Sequence, residues 1–253
     1  MNDEFEGKVV VVTGAGTGLG RWIAEGFAKA GAHTVITGIN LDECMDVADG
    51  LQECRGKVIA RQMDVTNLSE IKDTLQFVID EFSRVDVLVN NAGLVWKRKA
   101  LEVDESFFDQ MNAVNVKGAF FVAQTFGAQM VQQQSGKIIN ITSAAGKLIR
   151  KGLANPIYNM NKGAINMMTK ALAEEFSQYN VNVNAIGPGY FETGPVKERF
   201  VNPAVYETVI ESTPLGKIGQ ANDIQGTALF LGSKLSDFIT GQIIYVDGGR
   251  TIL

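Results

Sequence analysis

Thr13-Gly14-Ala15-Gly16-Thr17-Gly18-Leu19-Gly20 follows the β-branched run Lys8–Thr13 and opens directly into the apolar-periodic segment Gly18–Ala30. Glycines in such a turn permit a tight bend and close backbone approach. The free N–H groups and positive dipole end of the following helix then face an anion such as a pyrophosphate. A strand before and a helix after separate this stretch from an ordinary turn. No Lys-Ser or Lys-Thr follows the glycines, which sets aside the phosphate loop of ATP and GTP hydrolases.

Working outward, short β-branched runs alternate with longer amphipathic segments to the end of the chain. Strands are expected at Lys8–Thr13, Thr34–Thr37, Val58–Met63, Val85–Asn90, Lys137–Thr142, Val181–Ile186 and Gln242–Val246. Helices are expected at Gly18–Ala30, Leu41–Cys54, Leu68–Phe82, Glu105–Gln133 (as two helices), Pro156–Gln178 and Ala221–Gly232. Asn67 and Glu70 have capping-box spacing, and Ile71, Leu75, Val78, Ile79 and Phe82 form one apolar stripe on the third helix. The alternation predicts an α/β fold: a doubly wound parallel sheet of seven strands with helices on both faces. No linker or repeat breaks the chain, so residues 1–253 read as one domain. The turn-rich stretch 190–215 is the one break in rhythm and reads as a substrate lid.

Composition narrows the function. Twenty-three Lys and Arg against twenty-eight Asp and Glu give a net charge of −5, which argues against a broad nucleic-acid or anionic-membrane surface. The single histidine, His33, leaves no room for a two-His metal site, and a Ser-His-Asp hydrolase would have to use it. No metal site is expected, and Cys44 and Cys54 read as reduced thiols. The acidic start lacks the basic region of a signal peptide, and the longest uncharged stretch, Gly118 to Gly136, holds five Gln. A cytoplasmic protein is expected.

Ligands of open α/β sheets sit beyond the carboxyl ends of the strands. Those ends here supply Gly14, Gly38, Asp64, Asn90-Asn91-Ala92-Gly93, Ser143 and Gly187-Pro188-Gly189. Any one of these could be a plain turn former, but together they describe a ligand lying along the sheet edge.

The Thr13-Gly14-x-x-x-Gly18-x-Gly20 spacing, the Asn-Asn-Ala-Gly at 90–93 and the Tyr158-x-x-x-Lys162 pair resemble the short-chain dehydrogenase/reductase family, in its single-domain branch. The order and separation of these motifs span essentially the whole chain. The resemblance implies a Rossmann-type nucleotide fold. It also implies that Gly14, Gly18 and Gly20, with Thr17 and Leu19 in the same turn, line a pyrophosphate. Asp64 and Val65 would meet the adenine, Asn90 to Gly93 would lie under the adenosine ribose, and Pro188, Gly189 and Thr193 would hold the nicotinamide side. Homotetramers built on the long central helices and carboxyl-terminal strand contacts are the rule in the family. One departure is visible. The end of the second strand reads Gly38-Ile39-Asn40, with neither the acid that binds the ribose of NAD nor the arginine that accepts the phosphate of NADP. No Lys or Arg occurs between Gly31 and Cys54, which favours NAD(H) and leaves NADP(H) open, with Asn40 or Asp42 supplying ribose contacts.

Tyr158 and Lys162 stand four apart on an expected helix and share one face. A phenol titrates near pH 10, and lowering that by about 3 units needs about 4 kcal/mol from a neighbouring ammonium and a charged nicotinamide. Tyr158 would then serve as general acid and base. Ser143, ending the fifth strand, can donate to the substrate oxygen. By resemblance, Asn115 is the fourth member and positions Lys162 through a water.

The substrate should lie between Leu94–Leu101 and Ala144–Ile157, which hold Lys97, Arg98, Lys99, Lys147, Arg150 and Lys151 and no acid. This local positive charge would attract an anionic small molecule, with Arg98 or Arg150 gripping a carboxylate, unless these are solvated loop charges or subunit contacts. Trp96 and Tyr190 border the same space. Asn184–Tyr190 and Gly241–Gly249 resemble gluconate 5-dehydrogenases and the related deoxyketogluconate reductases, which implies a secondary alcohol or ketone of a sugar acid. Alternatives are a 3-oxoacyl thioester, a polyol or ketose, or a hydroxysteroid; Trp96, Phe191 and Phe200 would suit an apolar ligand or, equally, the packing of the lid. A non-catalytic nucleotide-binding regulator is the alternative of another class, against which stands the presence of both Tyr158 and Lys162.

Overall fold

The structure is a computed structural model and describes residues 4–149, 154–193 and 203–252. Its first strand, β1 (Val9–Thr13), is four valines and a threonine, buried at every position. A strand apolar on both sides must be covered on both faces. Val10 and Val12 pack under α1 (Gly18–Lys29), α2 (Leu41–Asp49) and the last long helix, α8 (Ala221–Gly232). Val9 and Val11 point the other way, toward α3 (Leu68–Phe82), α5 (Ala119–Gln133) and α6 (Pro156–Ser177). Phe27 anchors the first layer and Phe126 the second, both fully buried.

The remaining strands are β2 (His33–Gly38), β3 (Val58–Gln62), β4 (Val87–Asn90), β5 (Gly136–Ile141), β6 (Val181–Pro188) and β7 (Ile243–Val246). All seven run parallel in the order β3-β2-β1-β4-β5-β6-β7. The chain winds outward from β1 to β3, then returns to β4 on the other side of β1. This reversal leaves a crevice at the carboxyl ends of β1 and β4, where a doubly wound sheet takes its ligand.

Each expected strand is present to within two residues at either end. Leu41–Cys54 stops early: Gly50 caps α2, and the chain turns at Leu51 instead of continuing. The stretch from Glu105 is divided as expected, into α4 (Glu105–Asn112) and α5, but no loop parts them. A six-residue π turn, Ala113–Gly118, joins the two. The Asn67/Glu70 capping box is not formed. Asn67 does cap α3 through Ser69 N, but Glu70 Oε2 accepts from Asp64 N at 2.7 Å, because the chain bends back over the helix start. Within the turn-rich stretch 190–215 lies a helix that the sequence reading missed, α7 (Pro203–Glu211); residues 194–202, including Phe200, lie outside the described residues.

Candidate active site

A cavity of about 1220 Å³ opens along the carboxyl ends of the strands. The glycine turn closes one end. Gly14 has φ +60°, and a Cβ there would stand 2.8 Å from Ala92 Cα, so the turn after β1 and the Asn-Asn-Ala-Gly stretch after β4 touch backbone to backbone. Thr17 precedes α1 in extended conformation and its side chain makes no cap, which leaves the first N–H groups of the helix for a ligand in the cavity. Gly18, with open space where a Cβ would stand, lines the same end. Asn40, Asp64 and Val65 line it further along, and Pro188, Gly189 and Thr193 line the opposite end. Size, shape and donor set fit a dinucleotide.

At that opposite end Ser143, Tyr158 and Lys162 meet. Tyr158 sits in the first turn of α6, which Pro156 starts and Asn159 ties down by donating to Ala145 O at 2.7 Å. The Ser143 hydroxyl faces the Tyr158 hydroxyl, near enough to favour its ionised form. Lys162 is 6% exposed; its Nζ donates to Ile141 O at 2.8 Å and stands 5.7 Å from the centre of the Tyr158 ring. Burial lowers the Lys162 ammonium to about 8. Burial also raises the Tyr158 phenol, with the Ser143 hydroxyl pulling the other way. The depressed phenol expected from the sequence is therefore not produced by the protein's own groups, because desolvation outweighs a neighbour that is itself driven toward neutrality. Asn115, in the π turn, is 2% exposed and does not line the cavity. Its side chain closes both ways on Leu94, accepting from N at 2.7 Å and donating to O at 3.0 Å, and it also donates to Asn161. A π turn places a side chain where an α-helix cannot, and such turns recur at functional sites.

A protein-family profile described as enoyl-(acyl carrier protein) reductase matches residues 14–251. The 2-dehydro-3-deoxy-D-gluconate 5-dehydrogenase of Dickeya dadantii is 35% identical over 97% of this chain and 96% of its own. The 3-oxoacyl-[acyl-carrier-protein] reductase of Thermotoga maritima is 38% identical over 98% and 99%. The chain belongs to the short-chain dehydrogenase/reductase family. A crystal structure of a gluconate 5-dehydrogenase from Burkholderia cenocepacia, in complex with NADP and tartrate, superposes with TM-score 0.91 at 32% identity, covering 99% of this chain and 98% of that one. As in the family at large, the chain is an NAD(P)-linked dehydrogenase or reductase acting on CH–OH groups.

Within this family member several residues stand elsewhere than expected. Gly20 does not line the cavity: a Cβ there would collide with Asn91 Nδ2 and Gly14 O, so it is a packing glycine. Asn91 lines the cavity, but its amide serves the scaffold, donating to Thr13 O at 2.8 Å and Gly14 O at 2.9 Å. Asn40 spends its side chain capping α2, and Asp42 is not in the wall. Glu43, which the sequence reading passed over, is. Arg98 is also outside the wall; it pairs with Asp104 at 2.6 Å and lies over the Phe107 ring. Lys99 pairs with Glu102 and Lys147 lies over Tyr245, so with Arg98 three of the six cations counted along the sequence are paired or directed elsewhere. Arg150 and Lys151 lie outside the described residues. Trp96, Lys97 and Tyr190 do line the cavity, joined by a second residue missed in the sequence, Arg250. Among the described residues no group of three or more His, Cys, Asp or Glu could hold a metal, and no helix is long and apolar enough to cross a membrane. His33 lies at the other end of β2, accepting from Lys57 N and stacked on Phe82.

Because Asn91 holds the glycine turn from two carbonyls, Asn91→Ala should cost about 2 kcal/mol of stability, the typical penalty for acceptors left without a partner. Urea unfolding measures it; a loss below about 0.5 kcal/mol would show that the turn stands without this amide.

Proposed function

We propose that this enzyme interconverts a ketone and a secondary alcohol of a sugar acid, with Tyr158 as the general acid and base, Lys162 as its charged partner, Ser143 as the donor to the substrate oxygen, and Asn115 as a positioning residue. The observation that carries this reading is that Ser143, Tyr158 and a buried Lys162 line one cavity with a nucleotide cradle at its other end. Gly14, Thr17, Gly18, Leu19, Asp64, Val65, Ala92, Gly93, Pro188, Gly189 and Thr193 would hold the dinucleotide, which when bound supplies or accepts the hydride.

In the reductive direction the substrate carbonyl oxygen lies against the Ser143 and Tyr158 hydroxyls. As negative charge develops there, Ser143 donates a hydrogen bond and Tyr158 gives up its proton. The product alcohol carries one hydride and that proton, and the Tyr158 phenolate left behind is stabilised by the Lys162 ammonium until solvent reprotonates it. Burial keeps Tyr158 protonated at neutral pH, the form this step requires. The Dickeya and Burkholderia relatives, named for deoxyketogluconate and gluconate, support a sugar acid. The Thermotoga relative supports a 3-oxoacyl thioester as the second reading.

The cofactor is proposed to be NAD(H) in preference to NADP(H). Glu43 lines the end of the cavity beside the glycine turn, its Oε2 3.3 Å from where a Cβ on Gly16 would stand, in the neighbourhood where the adenosine ribose belongs. A carboxylate there accepts from ribose hydroxyls and repels a phosphate, taking the part of the acid absent from the end of β2.

Tyr158→Phe should lower turnover about a thousandfold while NADH still binds, measured by cofactor absorbance and NADH fluorescence; turnover within about threefold of the native rate with any ketone would remove Tyr158 from the chemistry. Glu43→Gln should raise affinity for NADPH relative to NADH about tenfold, read as dissociation constants from fluorescence titration. An unchanged ratio would mean that Glu43 does not face the ribose.

A further inference from the structure

We propose that Thr142 is a positioning residue for the reaction: its hydroxyl pins the main chain of Lys162 to the end of β5, and so sets where the Lys162 ammonium and the Tyr158 hydroxyl stand relative to Ser143. The inference rests on the Tyr158/Lys162 reading above and goes beyond it by naming what holds that pair in place.

Three consecutive residues at the carboxyl end of β5 address α6, each through a different atom. Ile141 O accepts from Lys162 Nζ at 2.8 Å, Thr142 Oγ1 donates to Lys162 O at 2.9 Å, and Ser143 faces Tyr158. Thr142 is 2% exposed and is itself fixed on the sheet side, where its N–H donates to Ile186 O of β6 at 2.8 Å. It therefore joins the sheet to the helix at the residue that carries the charge. A helical carbonyl has a second lone pair, which only a donor brought against the helix can use. Gly146 keeps the turn after β5 off the same carbonyl, since a Cβ there would stand 2.8 Å from Lys162 O. Two further ties flank this one, from Asn159 Nδ2 to Ala145 O at 2.7 Å and from Asn166 Nδ2 to Gly146 O at 3.2 Å. Both secure the turn Ala144–Gly146 and not β5, which leaves the level of Lys162 against Ile141 to Thr142.

The consequence is electrostatic. Lys162 Nζ is desolvated, and its bond to Ile141 O offsets part of that loss. Among the described residues its neighbours bring no counter-charge: β5 and the turn after it supply Ile141, Thr142 and Gly146, the segment after β4 supplies Gly93, and the titratable group facing it is Tyr158 on its own helix. Releasing the helix from Thr142 lengthens the Ile141 contact, which favours the neutral amine and draws the Lys162 titration to lower pH.

Thr142→Val, which keeps the shape and removes the donor, is compared in the full-length protein with Thr142→Ser, which keeps the donor. Thermal melting and NADH fluorescence report the fold. Carbon-13 NMR of lysine Cε, with the Lys162 signal assigned from Lys162→Met, follows the titration without substrate. Steady-state reduction of 5-keto-D-gluconate and of acetoacetyl-CoA gives kcat and KM. Thr142→Val should lower kcat about tenfold with KM within about twofold, and should draw both the Lys162 midpoint and the alkaline fall of kcat/KM about one pH unit toward acid. Thr142→Ser should keep the native midpoint and stay within about threefold of native kcat. A folded Thr142→Val with the native Lys162 midpoint overturns the proposal. So does a Thr142→Ser as impaired as Thr142→Val, which would place the effect in the packing of the methyl group. Where Thr142→Val fails to fold, Thr142→Ser and Thr142→Ala decide, because they differ by the hydroxyl alone, and equal midpoints overturn the proposal. Failure of the underlying reading looks different: the midpoint moves in Thr142→Val, while the native enzyme reduces neither ketone or reduces one at a rate level across its own Lys162 midpoint.

Discussion

An ammonium group with almost no contact with water, hydrogen-bonded to the Ile141 carbonyl at the end of β5, sets the terms for the structure around it. Lys162 holds its proton only up to about pH 8 instead of 10.5, which corresponds to about 3 kcal/mol against the charged form. Unfolded chain keeps that proton to higher pH, so from about 8 to 10.5 the unfolded state binds more protons and this group's contribution to stability rises with pH. Below that interval the fold carries the full cost of a buried charge. In the proposed chemistry the return is a positive charge beside Tyr158, in a medium where it acts strongly on a phenolate. Gly93 keeps the approach open, since a Cβ there would stand 3.6 Å from Lys162 Nζ and 3.1 Å from Asn115 Oδ1.

The rest of the site can be read as scaffolding for that charge. Helix α6 offers Tyr158 and Lys162 on one face because they are four residues apart, and Pro156 and Asn159 fix where the helix begins. The π turn lets Asn115 clamp Leu94 and so fixes the segment leaving β4. At the other end, Thr13 Oγ1 accepts from the backbone N–H groups of Asn91 and Ala92 and Thr13 O accepts from the Asn91 side-chain amide, locking the glycine turn to the same segment. The nucleotide cradle and the Tyr158 cluster are thus two ends of one hydrogen-bonded edge.

What was legible in the sequence was local. Parallel strands buried on both faces are unbroken apolar runs, so β1 and β4 showed themselves. The glycine turn and the Tyr158/Lys162 pair are set by spacing along a single element, which sequence preserves. What stayed hidden was where long side chains reach. Arg98 stood in a segment with no acid, but the fold brings Asp104 against it from the next helix start. Glu43 lies one turn into α2, and Arg250 is far along the chain from every motif; tertiary packing alone brings either to the cavity. Asn91 was assigned to the ligand by resemblance, and its side chain is spent on two backbone carbonyls. The π turn carries no distinctive residues, since Ala113–Gly118 would suit an α-helix equally well.

Because the reduced nicotinamide is neutral, the charge state of Lys162 governs the reductive direction, and the pH dependence of kcat/KM for ketone reduction tests the account most directly. With Tyr158 held above its ordinary value and Lys162 near 8, kcat/KM should be steady through neutral pH and fall as pH rises through about 8. A rate that stays level well above the point where Lys162 gives up its proton would contradict the claim that the buried ammonium sustains the proton transfer from Tyr158.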